Sequence, residues 1–374
     1  MWKPAKQHAL ITLALIVVFG FTSAWAAEPN ATAAQADPFK MNKLLGRGVN
    51  LGNTLEAPNE GEWGVTLKEE YFDIIKQAGF NSIRLPVRWS GHAMTEKPYT
   101  IDPNFFKRVD WAVNCALSRN MSIIVNVQQY AELYTNPLPH KERFVALWKQ
   151  IAEHYKSYPD KLFLELFNEP DDAFTPEIWN DFVKETIPVI RESNPKRMII
   201  VDSANDAWPS YLKFLKLPEN DRNIIVSIHY YFPLAFTHQG SPWITPQKIA
   251  SFLKDMEYIH QSVPSWVTVG DSNAWMGTKW TGSDAEKKEI TDAFDVAAAW
   301  GKENNRPINL GEFGSYRKAD MESRARWTKF IADTAAERGM SLLYWDFCAE
   351  FALYDRQTKS WNKGLLDAVI PQKQ

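Results

Sequence analysis

Short runs of β-type residues alternate with amphipathic helical segments along most of the chain, and this alternation limits the possible folds more than any other feature. The eight runs are Gly48–Leu51, Ser82–Pro86, Ser122–Val127, Leu162–Phe167, Arg197–Val201, Ile224–His229, Ile308–Gly311 and Leu342–Asp346. Strands separated by helices pair in parallel, and eight such units close into a barrel. We therefore predict an α/β protein with a single-domain (β/α)8 TIM barrel. An open doubly wound sheet is the alternative, but no glycine-rich phosphate loop follows an early run.

Helix boundary signals support this alternation. Thr66 and Glu69 have the spacing of a capping box, which predicts a helix start there, and Gly79 suits the end of the same helix. Asp102 followed by Pro103 predicts the start of the next helix.

The N-terminus has the pattern of an export signal. Residues 1–26 contain Lys3 and Lys6, then an apolar stretch, and end in a small-x-small cleavage pattern at 24–26. We predict a signal peptide at 1–26, a flexible leader at 27–40 and the barrel domain at 41–374. The protein is then secreted or periplasmic, with no membrane attachment after signal cleavage. A retained anchor is the alternative, but the apolar stretch is short for a membrane span.

Composition narrows the partners. The 374 residues carry a formal net charge of −3 with no basic block, which is unlike a nucleic-acid-binding protein. The two cysteines, Cys115 and Cys348, cannot make a disulfide scaffold, and we expect two structural thiols. We expect a monomer that binds a neutral substrate.

Polar residues fall where a barrel assembles its active site, at the C-terminal ends of the strands. They are Asn53 and Glu56 after the first run, Arg84 in the second, Gln128 and Gln129 after the third, Asn168 and Glu169 after the fourth, His229 and Tyr231 at the sixth, Glu312 after the seventh, and Trp345 in the eighth. Charged groups at so many strand ends cost free energy unless they share a cavity and partner one another.

Glu169 and Glu312 stand out as isolated carboxylates on the fourth and seventh strands, which face each other across a barrel mouth. Two carboxyls about 5 Å apart suit a retaining glycosidase, in which one attacks the sugar and the other acts as acid and base. Arg84 is the natural partner to keep Glu312 ionised, and Tyr231 is placed to donate a hydrogen bond to it. A metal-dependent barrel lyase competes with this interpretation, but it would need acids or histidines on consecutive strand ends.

Several ordered motifs resemble glycoside hydrolase family 5. They are Asn168-Glu169-Pro170, Arg84-Leu85-Pro86-Val87-Arg88-Trp89, His229-Tyr230-Tyr231 and Gly311-Glu312-Phe313-Gly314, with Gly48–Gly61, Phe236–Gly240 and Tyr344–Phe347 narrowing the match. Together they are similar to bacterial cellulase-type endo-β-1,4-glucanases, some of which also cleave mannan. The similarity runs from about Leu45 to Leu366.

The resemblance implies roles for individual residues. Glu169 would be the acid/base and Glu312 the nucleophile of a retaining hydrolase of cellulose-like or mixed-linkage β-glucan. The residues implied to bind or support the sugar are Arg84, Asn168, His229 and Tyr231 at the cleavage subsite, Trp345 as its platform, and Asn53 and Glu56 on the non-reducing side. Trp243, in the long segment after the sixth run, is a further candidate for stacking on sugar. The resemblance implies no cofactor and no metal.

One departure from the family pattern is the pair Gln128-Gln129, where histidines are usual. Glutamine donates hydrogen bonds but carries no proton, so we expect retained chemistry with altered sugar binding at the cleavage site. A glycan-binding barrel with little turnover, and the same mechanism acting on mannan, glucomannan or xyloglucan, are the alternatives. Glu56 could also be only a solvated loop acid, and His229 only a core histidine.

Overall fold

The computed structural model describes residues 37–245 and 272–371. The predicted signal peptide, and the predicted leader as far as residue 36, lie outside the described residues. Pro38–Leu45 forms a helix whose first N–H groups are capped by the Asp37 carboxylate, so helical structure begins three residues before the predicted domain boundary at Met41. Among the described residues, no helix is both long and apolar enough to span a bilayer.

Eight parallel strands form a closed barrel in sequence order, which confirms the predicted (β/α)8 fold. The strands are β1 (Arg47–Asn50), β2 (Ser82–Leu85), β3 (Ser122–Asn126), β4 (Leu162–Glu165), β5 (Ile199–Asp202), β6 (Ile224–His229), β7 (Ile308–Phe313) and β8 (Ser341–Tyr344). Each lies within two residues of the run that predicts it, at both ends. Strand β5 begins at Ile199, and the Arg197 side chain before it bonds the carbonyl oxygens of Tyr155 and Tyr158 below the barrel.

Helices connect the strands as the alternation predicts. The α-helices span Pro38–Leu45, Glu69–Gln77, Pro103–Ser118, Ala131–Thr135, Lys141–Tyr155, Pro176–Ser193, Ala204–Ala207, Leu234–Thr237, Asp284–Glu303, Met321–Glu337 and Lys363–Val369. Short 3₁₀ helices span Trp89–His92, Leu138–His140, Pro209–Phe214 and Ser272–Trp275, and a small hairpin pairs Tyr354–Asp355 with Ser360–Trp361.

The capping-box prediction at Thr66 and Glu69 is wrong. The helix begins at Glu69 itself, after Lys68, whose side chain makes no capping bond. The residues before the helix are instead fixed by Glu60, which accepts the N–H of Leu67 and forms an ion pair with Arg108. The other two boundary predictions are confirmed.

The confirmed boundaries show the expected chemistry. Asp102 accepts the N–H of Asn104 at 2.8 Å and caps the helix Pro103–Ser118. Gly79 follows the helix Glu69–Gln77 with φ of +100°, a conformation that glycine adopts without steric cost.

The barrel strands are buried almost throughout, and their apolar side chains form the protein core with the surrounding helices. Trp148, Trp179 and Trp327, each on a helix, pack in that core. Cys115 and Cys348 are both buried and free, which confirms two separate thiols. Many of the polar side chains that this frame buries, including Asn126, Glu165 and Asp202, lie at the C-terminal ends of the strands.

Candidate active site

A cleft of about 720 Å³ opens at the C-terminal ends of the strands. Every residue predicted from the sequence for the site lines it, except Arg84. The lining set includes Asn53, Glu56, Gln128, Gln129, Asn168, Glu169, His229, Tyr231, Trp243, Glu312 and Trp345. Arg84 lies fully buried directly beneath, in contact with the carboxylate of Glu312.

The two isolated carboxylates meet in this cleft. An oxygen of Glu169, an oxygen of Glu312 and a ring nitrogen of His229 all lie within 4.8 Å of one another. Glu312 is inside β7, whereas Glu169 lies beyond β4 with φ of +49°, so its backbone leaves the extended conformation to turn the side chain into the cleft. These donor types could ligate a cation, but the guanidinium already bound to Glu312 supplies positive charge there.

Arg84 organises the floor of the cleft with all five of its N–H donors. Nε and one Nη bond the two oxygens of Glu165 at 2.7 and 2.5 Å. The same Nη also bonds Asn168 Oδ1 at 2.7 Å, while the other bonds Asn50 Oδ1 at 2.9 Å and Glu312 Oε1 at 2.6 Å. A buried cation is thus matched to two carboxylates with no donor left over.

The second oxygen of Glu312 accepts a hydrogen bond from the Tyr231 hydroxyl at 2.7 Å. Burial raises the pKa of Glu312 above its ordinary value, while His229, Arg84 and the Tyr231 bond act to lower it. Burial and the neighbouring Glu312 raise the pKa of Tyr231 well above its usual range, so the phenol keeps its proton and remains a donor. Both oxygens of Glu312 are therefore held by donors.

His229 orients the other carboxylate. Its Nδ1 lies 2.7 Å from Glu169 Oε1, and burial lowers the pKa of the imidazole to about 4, so the ring is neutral near pH 7. Gly311 makes room for this ring, because a Cβ at that position would lie 2.7 Å from His229 Nε2. The hydrogen bond to Glu169 excludes the alternative that His229 is only a packed core histidine.

Asn168 connects the two halves of the site. Because Arg84 donates to its oxygen, the amide nitrogen must face the other way, where it lies 3.3 Å from Glu169 Oε2. The Tyr134 hydroxyl donates to the Asn168 carbonyl at 2.9 Å and fixes the backbone.

The orientation of Gln128 follows from a chain of hydrogen bonds. Asn126 Oδ1 accepts the N–H of Val87 at 3.1 Å, so its amide nitrogen is the group that donates to Gln128 Oε1 at 3.0 Å. The Gln128 amide nitrogen is then the end left to act as a donor toward the cleft. Gln129, with φ of +56°, also lines the cleft. The Asn126 amide donates to Gln128 and not to Gln129.

Glu56 is buried, which excludes the solvated loop acid that the sequence left open. Its carboxyl accepts the N–H groups of Asn53 and Thr54, the second at 2.8 Å. Burial nevertheless raises the pKa of Glu56 to about 8, against the opposing effect of these donors. Glu56 and Asn53 together border the cleft on the β1 side.

Aromatic rings occupy the cleft wall and its edges. Trp345 lies against the β1 loop, where only glycine fits, because a Cβ on Gly52 would be 2.8 Å from the indole. Trp243 and Trp63 line the cleft with 43% and 38% of their surface exposed, so both present open faces. Trp275 and Trp280, which follow the same strand, are buried.

Sequence reasoning missed four polar residues that support the site: Asn50, Asn126, Glu165 and Asp202. All four are fully buried at the ends of β1, β3, β4 and β5. A usable signal was present, because a charged residue inside an apolar strand such as Leu162–Phe167 needs a partner.

Comparisons with known proteins agree with this geometry. Residues 32–351 match the family model "Cellulase (glycosyl hydrolase family 5)". The chain therefore belongs to glycosyl hydrolase family 5. It is 34% identical to Endoglucanase H of Acetivibrio thermocellus over 355 residues, which is 92% of this chain and 35% of that protein. It is 31% identical to Cellulase/esterase CelE of the same organism, over 84% of this chain and 38% of that protein. The chain thus spans little more than a third of either relative.

Solved structures match over their whole length. The endoglucanase Cel5A of Thermotoga maritima is 47% identical, with a TM-score of 0.81 over 90% of this chain and 100% of that chain. The subunit CcsZ of cellulose synthase from Clostridioides difficile is 33% identical, with a TM-score of 0.77 over 87% of this chain and 99% of that chain.

Proposed function

We propose that this chain is a retaining, endo-acting hydrolase of β-1,4-linked glucans, with Glu312 as nucleophile and Glu169 as acid/base. The observation that carries the proposal is the approach of their carboxylate oxygens to within 4.8 Å. A retaining glycosidase needs its carboxyls roughly 5–5.5 Å apart, whereas an inverting one needs roughly 6.5–9.5 Å to admit water between them.

The surroundings of the two carboxyls differ as their roles require. Glu312 accepts hydrogen bonds from Arg84 and Tyr231, which favours its ionised form for attack on the anomeric carbon. Glu169 contacts neutral His229 and the Asn168 amide. Glu169 first protonates the leaving oxygen and then, as a carboxylate, takes a proton from the water that releases the sugar from Glu312.

A β-glucan such as cellulose or mixed-linkage glucan is the proposed substrate. Two of the relatives, from Acetivibrio thermocellus and Thermotoga maritima, are named endoglucanases, and an open cleft with exposed Trp63 and Trp243 suits internal binding of a long chain. Mannan or glucomannan is the second candidate, because a solved structure of the Thermotoga enzyme, 47% identical, is a complex with mannotriose. Xyloglucan and a non-hydrolytic glycan-binding role stay as the remaining alternatives.

A substrate panel tests the proposal. Barley β-glucan, carboxymethyl cellulose, glucomannan, mannan and xyloglucan are incubated with the protein, and reducing ends and loss of viscosity are followed. Turnover of β-glucan with early viscosity loss is expected. Activity confined to mannan would overturn the choice of substrate, and binding by calorimetry without turnover would overturn the choice of an enzyme.

Two further measurements address the mechanism. Proton NMR of the first product should show the β-anomer, and an α-anomer would refute retention. Glu312→Ala should lower kcat by on the order of 10⁴-fold or more. The matched control is Glu350→Gln, another glutamate of the cleft that pairs with Arg317 at 3.1 Å, for which a change below about tenfold is expected.

We also propose that the protein is exported to the periplasm or medium as a monomer. Residues 1–26 support the export, because a positively charged start is followed by an apolar stretch and then by small residues at a cleavage pattern. N-terminal sequencing of the mature protein should begin near residue 27, and light scattering should give one chain per particle.

A further inference from the structure

Asp202 is a buried carboxyl that contacts the proposed acid/base residue and has no role in the mechanism described so far. It ends β5, fully inaccessible to solvent, next to Ser227 of β6. Its Oδ2 accepts the backbone N–H of Glu169 at 3.1 Å. The same oxygen lies 3.7 Å from Nε2 of His229.

The first contact acts on the main chain of Glu169. The residue has φ of +49°, in the left-handed region that side-chain-bearing residues rarely adopt. Such a conformation persists only where the surroundings hold it. The hydrogen bond from the Glu169 N–H to Asp202 stabilises this backbone conformation and so fixes the direction of the Glu169 side chain.

The second contact acts through His229, whose Nδ1 bonds Glu169 Oε1 at 2.7 Å. The opposite nitrogen, Nε2, has no hydrogen-bond partner in the described part of the chain and faces Asp202. Asp202 therefore touches the acid/base residue at its backbone and also borders the ring that orients its side chain.

Several ionisable groups face Asp202 from the surrounding strands. They are Arg84 from β2, Glu165 from β4, Glu169 beyond it and His229 from β6, and His229 in turn interacts with the charges of Glu312 and Asp206. Burial, reinforced by the charge of Glu165, raises the pKa of Asp202 well above its ordinary range, while Arg84 and the N–H of Glu169 oppose this. Since the five donors of Arg84 are already engaged, no guanidinium N–H remains for Asp202.

We propose that Asp202 is a positioning residue for Glu169. In this role Asp202 is a neutral carboxylic acid that fixes the Glu169 backbone and supports the His229 ring. The inference rests on the proposed role of Glu169. As a neutral group, it holds the acid/base in place without adding a third negative charge to the site. An amide of the same shape should replace it, whereas a methyl group should not.

The test compares two substrates that differ in their need for an acid. Cellotetraose needs a proton on its leaving oxygen, whereas 2,4-dinitrophenyl β-cellobioside releases a stable phenolate without one. The value kcat/KM reports the first chemical step for both. Asp202→Ala should lower it by about tenfold to a hundredfold on cellotetraose, because a misplacement of about 1 Å can cost 10²-fold. The loss on the aryl substrate should stay below about threefold.

Asp202→Asn should stay within about threefold of wild type on both substrates, with an unchanged pH profile. If Asp202 is instead ionised, the Asn variant removes a negative charge, lowers the pKa of Glu169 and shifts the basic limb of kcat/KM to lower pH. That shift, or a loss above tenfold on cellotetraose, would overturn the proposal even if the alanine variant fails to fold. Equal losses on both substrates in Asp202→Ala would also overturn it.

Asp320→Ala is the matched control, because Asp320 also accepts one backbone N–H, that of Ser323 at 3.0 Å, and does not line the cleft. It should alter both substrates equally, by less than about threefold. Failure of the wild-type protein to cleave either substrate would refute the proposed function itself, which is a different outcome from a failure of the Asp202 inference.

Discussion

Replacing Arg84 with lysine should show how much of the site depends on a planar guanidinium. The native side chain makes five hydrogen bonds, two of them to Glu165 and one to Glu312. Lysine keeps the charge but has only three donors on a compact ammonium. At least two bonds are therefore lost. A hydrogen bond to a charged group is worth about 1.5–3 kcal/mol, so the free energy of unfolding should fall by about 3–6 kcal/mol.

The same change should alter the pH profile. An ammonium at the site of the guanidinium cannot reach Glu165 and Glu312 together, so the charge that favours ionised Glu312 weakens. Burial already raises the pKa of Glu312, and a weaker interaction with the opposing cation raises it further. The acidic limb of kcat/KM should move to higher pH. Loss of one preorganised donor predicts a decrease of about 10²–10³-fold at the optimum.

Arg197→Lys is the control for both measurements. Arg197 is also buried, but its guanidinium donates to backbone carbonyls such as those of Tyr155 and Leu162, below the barrel. Urea unfolding should show a comparable loss of stability, with kcat/KM within about threefold and no shift of either limb. The reasoning fails if Arg84→Lys leaves the acidic limb in place with less than a tenfold loss, or if Arg197→Lys shifts it equally.

Three further predictions follow from the cleft. Burial raises the pKa of Glu56 to about 8, so the stability it contributes is present below its unfolded pKa and is lost as pH rises through 8. The urea-unfolding free energy of Glu56→Gln, relative to wild type, should therefore rise by about 2 kcal/mol or more from pH 5 to 9, and a constant difference would contradict this. Gln128→His should add at least a threefold change in KM between pH 5 and 7.5 beyond the change seen in the wild type, since an imidazole titrates in this range and an amide does not; the same KM profile in both proteins would count against direct sugar contact. Trp243→Ala should raise KM for β-glucan by about tenfold and leave KM for the aryl cellobioside within about threefold, and equal effects would argue against an outer sugar platform.

The barrel and most of the cleft could be predicted from the sequence because both depend on local patterns. Apolar runs alternating with amphipathic helices define the (β/α)8 topology, and topology alone brings the strand ends to one face. Glu169 and Glu312 could therefore be assigned to one cleft without coordinates. The Thr66–Glu69 capping box failed because a distant pair, Glu60 with Arg108, holds that segment.

Sequence determined which residues end each strand, but not which side chain faces which partner. The tertiary structure decided that Arg84 lies beneath the cleft, that Asp202 holds the backbone of Glu169, and that Trp243 is exposed while Trp280 is buried. These outcomes depend on register, burial and single backbone angles such as φ of Glu169, which arise from packing between segments distant in sequence. The pattern of residue types in a sequence indicates which side chains are buried. The tertiary structure decides which partners each buried side chain contacts.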